Sequence, residues 1–207
     1  LEIISRKSRK KISINKINSL PKLLKKKIIH DIKKITSKKK NFSNLDFSKS
    51  PNIMGVLNLT PDSFSDGGKF NSKDKGINQA KLMYESGANI IDVGGESTRP
   101  GSKGVNEKVE WNRINKLLKS ICHKVTVSLD TRKSKIMKKG IKLGIRIIND
   151  VSGLNYDVET KNIVKKEKNT YVSQNTKGTP ENMQNNPNYK NVLLDIYDFL
   201  KKKIKFL

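Results

Sequence analysis

Short apolar runs alternate with longer amphipathic stretches over residues 51–207. Five runs predict β-strands, and five periodic stretches predict helices. The strands are predicted at residues 53–57, 89–93, 125–129, 145–148 and 170–172, and the helices at residues 73–86, 106–122, 133–143, 157–166 and 189–206. Strands that alternate with helices through short connections indicate an α/β fold with a parallel sheet. The pattern alone fits both an open, doubly wound sheet and part of a (β/α)8 barrel.

Residues 1–50 have a different pattern, with many lysines and no glycine. Apolar residues recur at near-helical spacing over 20–35, which predicts an amphipathic helix with a basic outer face. Such a helix could lie on a membrane surface, pack on the domain that follows, or belong to a transit peptide, although transit peptides prefer Arg to Lys. Its narrow apolar stripe has no Trp or Phe, which favours packing. We therefore divide the chain into a basic, partly helical extension (1–50) and an α/β domain (51–207).

The net charge of +25 is concentrated at the N-terminus, where residues 1–50 hold 16 Lys and Arg against 3 Asp and Glu. Basic residues alone supply only nonspecific attraction to polyanions, so we expect no specific nucleic-acid partner. No apolar run approaches the length of a membrane span. The single cysteine, Cys122, cannot form an internal disulfide, which predicts a reducing compartment such as the cytoplasm.

A polar side chain stands at or near the end of each of the first four predicted strands. These residues are Asn58, Asp92, Asp130 and Asn149. Asn and Asp commonly end strands or cap helices, so one such residue would carry little information. The carboxyl ends of parallel strands form the ligand-binding face of α/β folds, and four such residues in succession favour a site there.

Two polar loops follow the first two strands. Residues 60–68 form a long loop that suits a mobile lid. Residues 94–104 combine glycines, hydroxyl groups and Arg99, which are the groups that a phosphate-bearing substrate requires. Neither loop matches a nucleotide-binding motif, so no nucleotide cofactor is indicated.

The amino-acid sequences of these segments are similar to those of a known enzyme family. Residues 54–68 read Met-Gly-Val-Leu-Asn-Leu-Thr-Pro-Asp-Ser-Phe-Ser-Asp-Gly-Gly, and residues 87–101 read Gly-Ala-Asn-Ile-Ile-Asp-Val-Gly-Gly-Glu-Ser-Thr-Arg-Pro-Gly. Together with Ser-Leu-Asp-Thr at 128–131 and Ile-Asn-Asp-Val-Ser-Gly at 148–153, they resemble the N-terminal portion of dihydropteroate synthases. The resemblance covers most of residues 51–207 and none of residues 1–50.

The resemblance implies a (β/α)8 TIM barrel, truncated here to about five β/α units, with the C-terminal third of the family's sequence missing. It implies condensation of 6-hydroxymethyl-7,8-dihydropterin pyrophosphate with p-aminobenzoate in folate biosynthesis, with Mg²⁺ as cofactor and a homodimer as the assembly of the full-length family. Since the later family segments are absent, we expect this chain alone to be inactive and poorly folded.

The resemblance also assigns roles to individual residues. Asn58 would bind Mg²⁺, and Asp66 and Arg99 would be catalytic, Asp66 by stabilising positive charge on the pterin methylene. The substrate-binding set would be Phe64, Asp92, Thr98, Arg99, Pro100, Asp130 and Asn149. Asp130 and Asn149 would bond the pterin ring, Thr98 and Arg99 would contact the pyrophosphate, and Phe64, Asp66 and Pro100 would close over the second substrate.

The sequence departs from the family pattern at Gln174, Asn175 and Thr176, where the family usually has Met-His-Met. This change predicts a more polar pterin pocket. Two alternatives stay open from the sequence: a degenerate, non-catalytic pterin-binding or basic scaffold protein, and a methyltetrahydrofolate methyltransferase-like domain. The loop at 60–68 favours the synthase over the methyltransferase.

Overall fold

The computed structural model describes residues 1–38, 40, 41, 43, 45–48, 51–60, 74–167 and 169–206. The extension begins with an antiparallel hairpin of β1 (Glu2–Ile4) and β2 (Arg9–Lys11). A 3-10 helix (Ile14–Ser19) and helix α1 (Lys22–Thr36) follow. Helix α1 confirms the helix predicted at 20–35, whereas the hairpin was not predicted.

The remaining elements alternate strictly between strand and helix. They are β3 (Met54–Asn58), α2 (Lys75–Glu85), β4 (Ile90–Gly94), α3 (Glu107–Ile121), β5 (Thr126–Asp130), α4 (Ser134–Lys142), β6 (Ile147–Asp150), α5 (Glu159–Glu167), β7 (Thr170–Ser173) and α6 (Val192–Ile204). Every strand and helix predicted over residues 51–207 is present, with ends displaced by at most three residues. In the described part of the chain, no helix is long and apolar enough to cross a membrane.

The five strands β3 to β7 form one parallel sheet in the order in which they occur along the chain. In a doubly wound sheet the strand order reverses at a switch point, and no reversal occurs here. Strands that are added one after another, each followed by a helix, are the construction of a (β/α)8 barrel. The structure therefore confirms the barrel alternative and contains about five β/α units of it.

The outer face of the sheet forms the main hydrophobic core. Alternate strand residues point toward the helices, among them Leu57, Ile91, Val93, Leu129 and Ile148. Each of these is at most 3% exposed. They pack against the apolar faces of α3 and α4, which supply Ile114, Leu118, Ile136 and Met137. Because side chains alternate along a strand, the intervening residues face the barrel interior.

The extension contacts the barrel at its lower end and at α6. Leu45 packs with Ile90 and Ile147, the first residues of β4 and β6, and so covers the inner face at the amino ends of the strands. On the other side, Arg6 in the hairpin turn forms ion pairs with Asp195 and Asp198 of α6. The opposite, carboxyl-terminal end of the strands is where the predicted site residues lie.

Candidate active site

Asn58, Asp130 and Asn149 lie in one row across the carboxyl ends of the strands. The parallel register pairs Asn58 with Gly94, Gly94 with Asp130, and Asp130 with Asn149. Asp92 differs from the prediction, because it lies in the middle of β4, two residues before the end of the strand. It pairs with Val56 and Ser128 instead of with the polar residues of the row. Strand β4 continues past Asp92 because Val93 and Gly94 extend the ladder with both neighbouring strands.

All four of these side chains point to the inner face, opposite the helices. Asn149 Nδ2 donates a hydrogen bond to Asp92 Oδ2 at 3.0 Å, and Gln174 Nε2 donates to Asn149 Oδ1 at 3.1 Å. The Gln174 amide thereby orients the Asn149 amide, which in turn bonds one oxygen of the buried Asp92 carboxylate, while Asp92 Oδ1 has no hydrogen-bond partner among the described residues. Gln174 stands where the resemblance expects Met, and it makes the pocket more polar through a defined hydrogen bond.

Gly94 leaves the space in which Asn58 and Asp130 approach each other. A β-carbon at Gly94 would lie 2.8 Å from Asn58 Oδ1 and 3.3 Å from Asp130 Oδ2. Both oxygens therefore face the same point above the end of β4. Any residue other than glycine would displace at least one of them.

The pocket is unfavourable for negative charge. Burial raises the pKa of the Asp92 carboxyl above its ordinary value. Burial, together with the neighbouring carboxylates led by Asp92, raises the pKa of Asp130 to about 8. Two such carboxyl groups favour a ligand that brings N–H donors, because a donated hydrogen bond stabilises the ionised carboxylate.

The turn after β6 is braced by the buried Asp150, whose side chain points away from the pocket. Its carboxylate accepts hydrogen bonds from the backbone N–H groups of Ser152 and Leu154 and from the Tyr171 hydroxyl at 2.5 Å. These bonds hold the end of β6 against β7. The position of Asn149, the preceding residue, is fixed as a result.

The loop between β4 and α3 carries three predicted site residues beside this pocket. Thr98 is half-buried, whereas Arg99 and Pro100 are exposed. The loop folds on itself, since Ser102 Oγ donates to the backbone oxygen of Ser97 at 2.7 Å. Its tip meets the segment after β7, where the Gly101 N–H donates to the Pro180 oxygen at 2.8 Å. The Arg99 side chain makes no ion pair with any residue that the structure describes.

Two of the predicted site residues, Phe64 and Asp66, lie outside the described residues. Their roles therefore stay predictions that rest on the resemblance at residues 54–68.

A buried cluster of charged residues beside the site was not predicted. It consists of Glu96, Glu110, Arg132 and Lys133, each less than 9% exposed. Burial alone would raise the pKa of Glu96, but hydrogen bonds from Arg132 and Lys133 hold that pKa below its ordinary value. One sequence signal pointed to the cluster: Glu110 lies four residues before Ile114 and so falls on the apolar face of α3.

The residues at the strand ends suit a magnesium ion. Mg²⁺ prefers oxygen ligands and commonly takes only one or two from the protein, with phosphates and water completing its shell. The Asn58 amide oxygen, which faces the same point as Asp130, meets this requirement. Among the described residues there is no group of three or more His, Cys, Asp or Glu side chains that could hold a metal alone.

The chain thus combines five barrel units, a cluster of Asp and Asn side chains on the inner face, and a loop that carries Thr98 and Arg99. The family model described as pterin binding enzyme matches residues 54–207, and the chain belongs to this family.

Within the family, the similar proteins include dihydropteroate synthases, as the resemblance predicted. The enzyme of Clostridium beijerinckii is 42% identical over 154 residues, which cover 73% of this chain and 55% of that protein. A structure of the Yersinia pestis enzyme in a sulfonamide drug complex has a TM-score of 0.71 and 36% identity, over 78% of this chain and 58% of that one. The Xanthomonas albilineans enzyme with 4-aminobenzoic acid gives 0.67 and 30%, over 75% and 55%.

The chain spans little more than half the length of the curated relatives that it matches, 55% for the Clostridium beijerinckii enzyme and 56% for that of Synechocystis. This chain therefore has the family's sequence and part of its barrel fold, and the relatives' activity belongs to proteins nearly twice the matched length.

Proposed function

We propose that the inner-face cluster binds a pterin ring and that the chain serves the dihydropteroate synthase reaction of folate biosynthesis. The observation that carries this proposal is the convergence of Asp92, Asp130 and Asn149 in one buried pocket. A pterin presents an amidine-like edge of alternating donors and acceptors. Two carboxyl groups and an oriented amide, Asn149, match such an edge, and burial of Asp92 and Asn149 strengthens the bonds that they make.

Recognition of the ring should change the protonation of Asp130. Because the pKa of this carboxyl is about 8 in the absence of a ligand, most of it carries a proton at pH 7. Donation from a pterin N–H favours the ionised form, so ring binding lowers the pKa of Asp130 and releases a proton. Proton release on binding is therefore an expected signature of this site.

The loop that carries Thr98 and Arg99 would bind the pyrophosphate. Its backbone N–H groups, hydroxyl groups and the exposed Arg99 guanidinium suit phosphate oxygens, for which arginine offers paired donors. Asn58 would supply an oxygen ligand to Mg²⁺, with further positions taken by the substrate's own phosphates. When bound, the ion would neutralise charge that builds up on the departing pyrophosphate.

The reaction needs no covalent intermediate with the protein. The bond between the pterin methylene carbon and the pyrophosphate oxygen breaks, and the amine nitrogen of p-aminobenzoate forms a new bond to that carbon and loses a proton. Arg99 stabilises the leaving group. By the resemblance, Asp66 would stabilise positive charge on the methylene, while Phe64 and Pro100 would close over p-aminobenzoate.

We further propose that the enzyme works in the cytoplasm as a homodimer.

Neither alternative drawn from the sequence is favoured by the comparisons. The similar proteins named above are dihydropteroate synthases, which supports this function over a methyltetrahydrofolate methyltransferase-like one. The intact row of Asn58, Asp130 and Asn149 supports a functional site over a degenerate scaffold.

Binding of 6-hydroxymethylpterin to the full chain, followed by quenching of pterin fluorescence, tests the proposal. Asp130→Asn should weaken binding by about 30-fold, because a charge-assisted hydrogen bond contributes about 2 kcal/mol. The matched control is Asp157→Asn, the same chemical change at the start of α5, outside the pocket, and it should bind as the unmodified chain does.

Condensation with labelled p-aminobenzoate then tests the reaction and the expectation that this chain alone is inactive. If the unmodified chain does not bind the pterin, or if both variants bind it equally well, the proposed function is wrong.

A further inference from the structure

The loop that carries Arg99 is closed at its base by one buried carboxylate. Glu96 Oε1 accepts a hydrogen bond from the backbone N–H of Val105 at 2.8 Å, so residues 97–104 project from two points that Glu96 holds together. Arg113 adds a bond from Nη1 to the backbone oxygen of Gly95 at 2.8 Å. The base of the loop is therefore tied to α3 and to itself.

The same carboxylate is anchored to the turn that follows β5. Arg132 Nε donates to Glu96 Oε2 at 2.7 Å, and Lys133 Nζ donates to Glu96 Oε1 at 2.7 Å. Lys133 Nζ also donates to Glu110 Oε2 at 2.5 Å. With two acidic and two basic side chains the cluster is neutral, and each buried charge has an opposite partner, which burial demands.

The turn that anchors the loop begins directly after Asp130. Strand β5 ends at Asp130, and residues 131–133 lead into α4. The returning limb of the loop packs on the cluster so closely that a β-carbon at Gly104 would lie 2.9 Å from Arg132 Nη2. The distance between the anion loop and the ring pocket is thus set through the side chain of Glu96.

We propose that Glu96, held by Arg132 and Lys133, is a positioning residue that fixes the loop of residues 97–104 relative to Asp130. The proposal rests on the proposed function, since it concerns the same site. It predicts that the two halves of the site can be separated: loss of the Glu96 charge should impair anion binding and leave recognition of the pterin ring intact.

The test compares Glu96→Gln with Glu110→Gln. Both variants remove one of the two carboxylates that pair with Lys133, so both carry a similar penalty for a buried charge, but only Glu96 contacts the loop. We expect Glu96→Gln to weaken binding of inorganic pyrophosphate by at least about tenfold, the size of one charge-assisted bond. Affinity for 6-hydroxymethylpterin should change less than about twofold, and Glu110→Gln should change neither affinity.

Two further measurements keep the proposal testable if Glu96→Gln does not fold. Gly104→Ala retains every charge but pushes the loop away from Arg132, so it should weaken pyrophosphate binding in the same direction. Amide hydrogen exchange over residues 97–105 needs no ligand, and it should be faster in Glu96→Gln and Gly104→Ala than in Glu110→Gln.

Normal pyrophosphate affinity in Glu96→Gln, or equal exchange in all variants, would overturn the positioning role while the proposed function stands. If the unmodified chain binds neither ligand, the proposed function fails. Faster exchange in Glu96→Gln than in Glu110→Gln would still support the claim that Glu96 holds the loop of residues 97–104.

Discussion

Replacement of Asp130 by asparagine should stabilise the chain while it weakens ligand binding. The pKa of this carboxyl is about 8 in the folded chain, against an ordinary value of 3.8. At pH 7 the folded chain therefore holds a proton that the unfolded chain has lost. Each pH unit between the ordinary pKa of 3.8 and pH 7 costs about 1.4 kcal/mol. The Asp130 carboxyl therefore lowers the free energy of unfolding at pH 7 by up to about 4 kcal/mol.

The effect of Asp130 on stability changes with pH in the opposite direction to that of a carboxylate in an ion pair. Because the pKa of Asp130 is raised, its penalty is absent below about pH 4 and grows as the pH rises toward 8. The free energy of unfolding should fall between pH 5 and pH 8. Asp92, whose pKa burial also raises, contributes in the same direction. Carboxyl groups with a lowered pKa, such as Glu96, titrate below this range and leave the slope unchanged.

Urea unfolding at several values between pH 5 and pH 8 measures this slope. Trp111 is the only tryptophan and packs against the core, so its fluorescence reports global unfolding. Asp130→Asn should be more stable than the unmodified chain at pH 7 by about 2 to 4 kcal/mol, with a flatter dependence on pH.

Asp157→Asn should behave in the opposite way. Burial alone would raise the pKa of Asp157, but hydrogen bonds from Ser134 lower it. This variant should therefore lose about 1 kcal/mol at every pH from 5 to 8, where the Asp157 carboxyl is ionised in both states. If the free energy of unfolding of the unmodified chain does not fall from pH 5 to pH 8, or if Asp130→Asn is no more stable at pH 7, the electrostatic description of the pocket is wrong.

Three further predictions concern packing, backbone conformation and the relay in the pocket. Leu118→Ala removes a fully buried core side chain and should cost about 2 to 5 kcal/mol in urea unfolding; a loss below 1 would contradict the packing of α3. Gly153→Ala should cost about 1 to 3 kcal/mol more than Gly144→Ala in the same assay. Both glycines have positive φ, but of the two only Gly153 has a backbone oxygen, that of Gln174, within 2.5 Å of the position of an added β-carbon. Equal losses of stability in the two variants would refute this clash. Gln174→Met should weaken binding of 6-hydroxymethylpterin about fivefold because Asn149 loses its donor, and unchanged affinity would show that this contact does not orient the amide.

The sheet and its polar row could be predicted because both depend on local pattern. Alternating apolar runs such as residues 125–129 identify strands by their period of two, and the first polar residue after each run marks the carboxyl end. The depth of Asp92 could not be read in this way. The end of β4 is set by its ladder with β3 and β5, and the apolar Val93 gives no sign that the residue before it faces the interior.

The buried ion cluster and the hairpin were missed for related reasons. Glu96 lies 36 residues from Arg132 and 37 from Lys133, so only the fold brings these charges together. The strands β1 and β2 are three residues long, and the Lys and Arg residues in and around them conceal any alternation of apolar and polar positions. Short basic strands of this kind depend on their pairing rather than on their own propensity.

The segment from Asp130 to Lys133 joins the two halves of the site. Asp130 faces the inner side of the sheet, while the next three residues turn outward, where Arg132 and Lys133 hold the loop of residues 97–104 through Glu96. A slip of β5 by one residue would therefore move both halves at once, because it would turn Asp130 toward the helices and displace Arg132 and Lys133 from their partners. The apolar register on the outer face, where Val127 and Leu129 are at most 4% exposed, opposes such a slip. The hydrophobic core on the outer face of the sheet thus sets the spacing between Asp130 and the loop of residues 97–104.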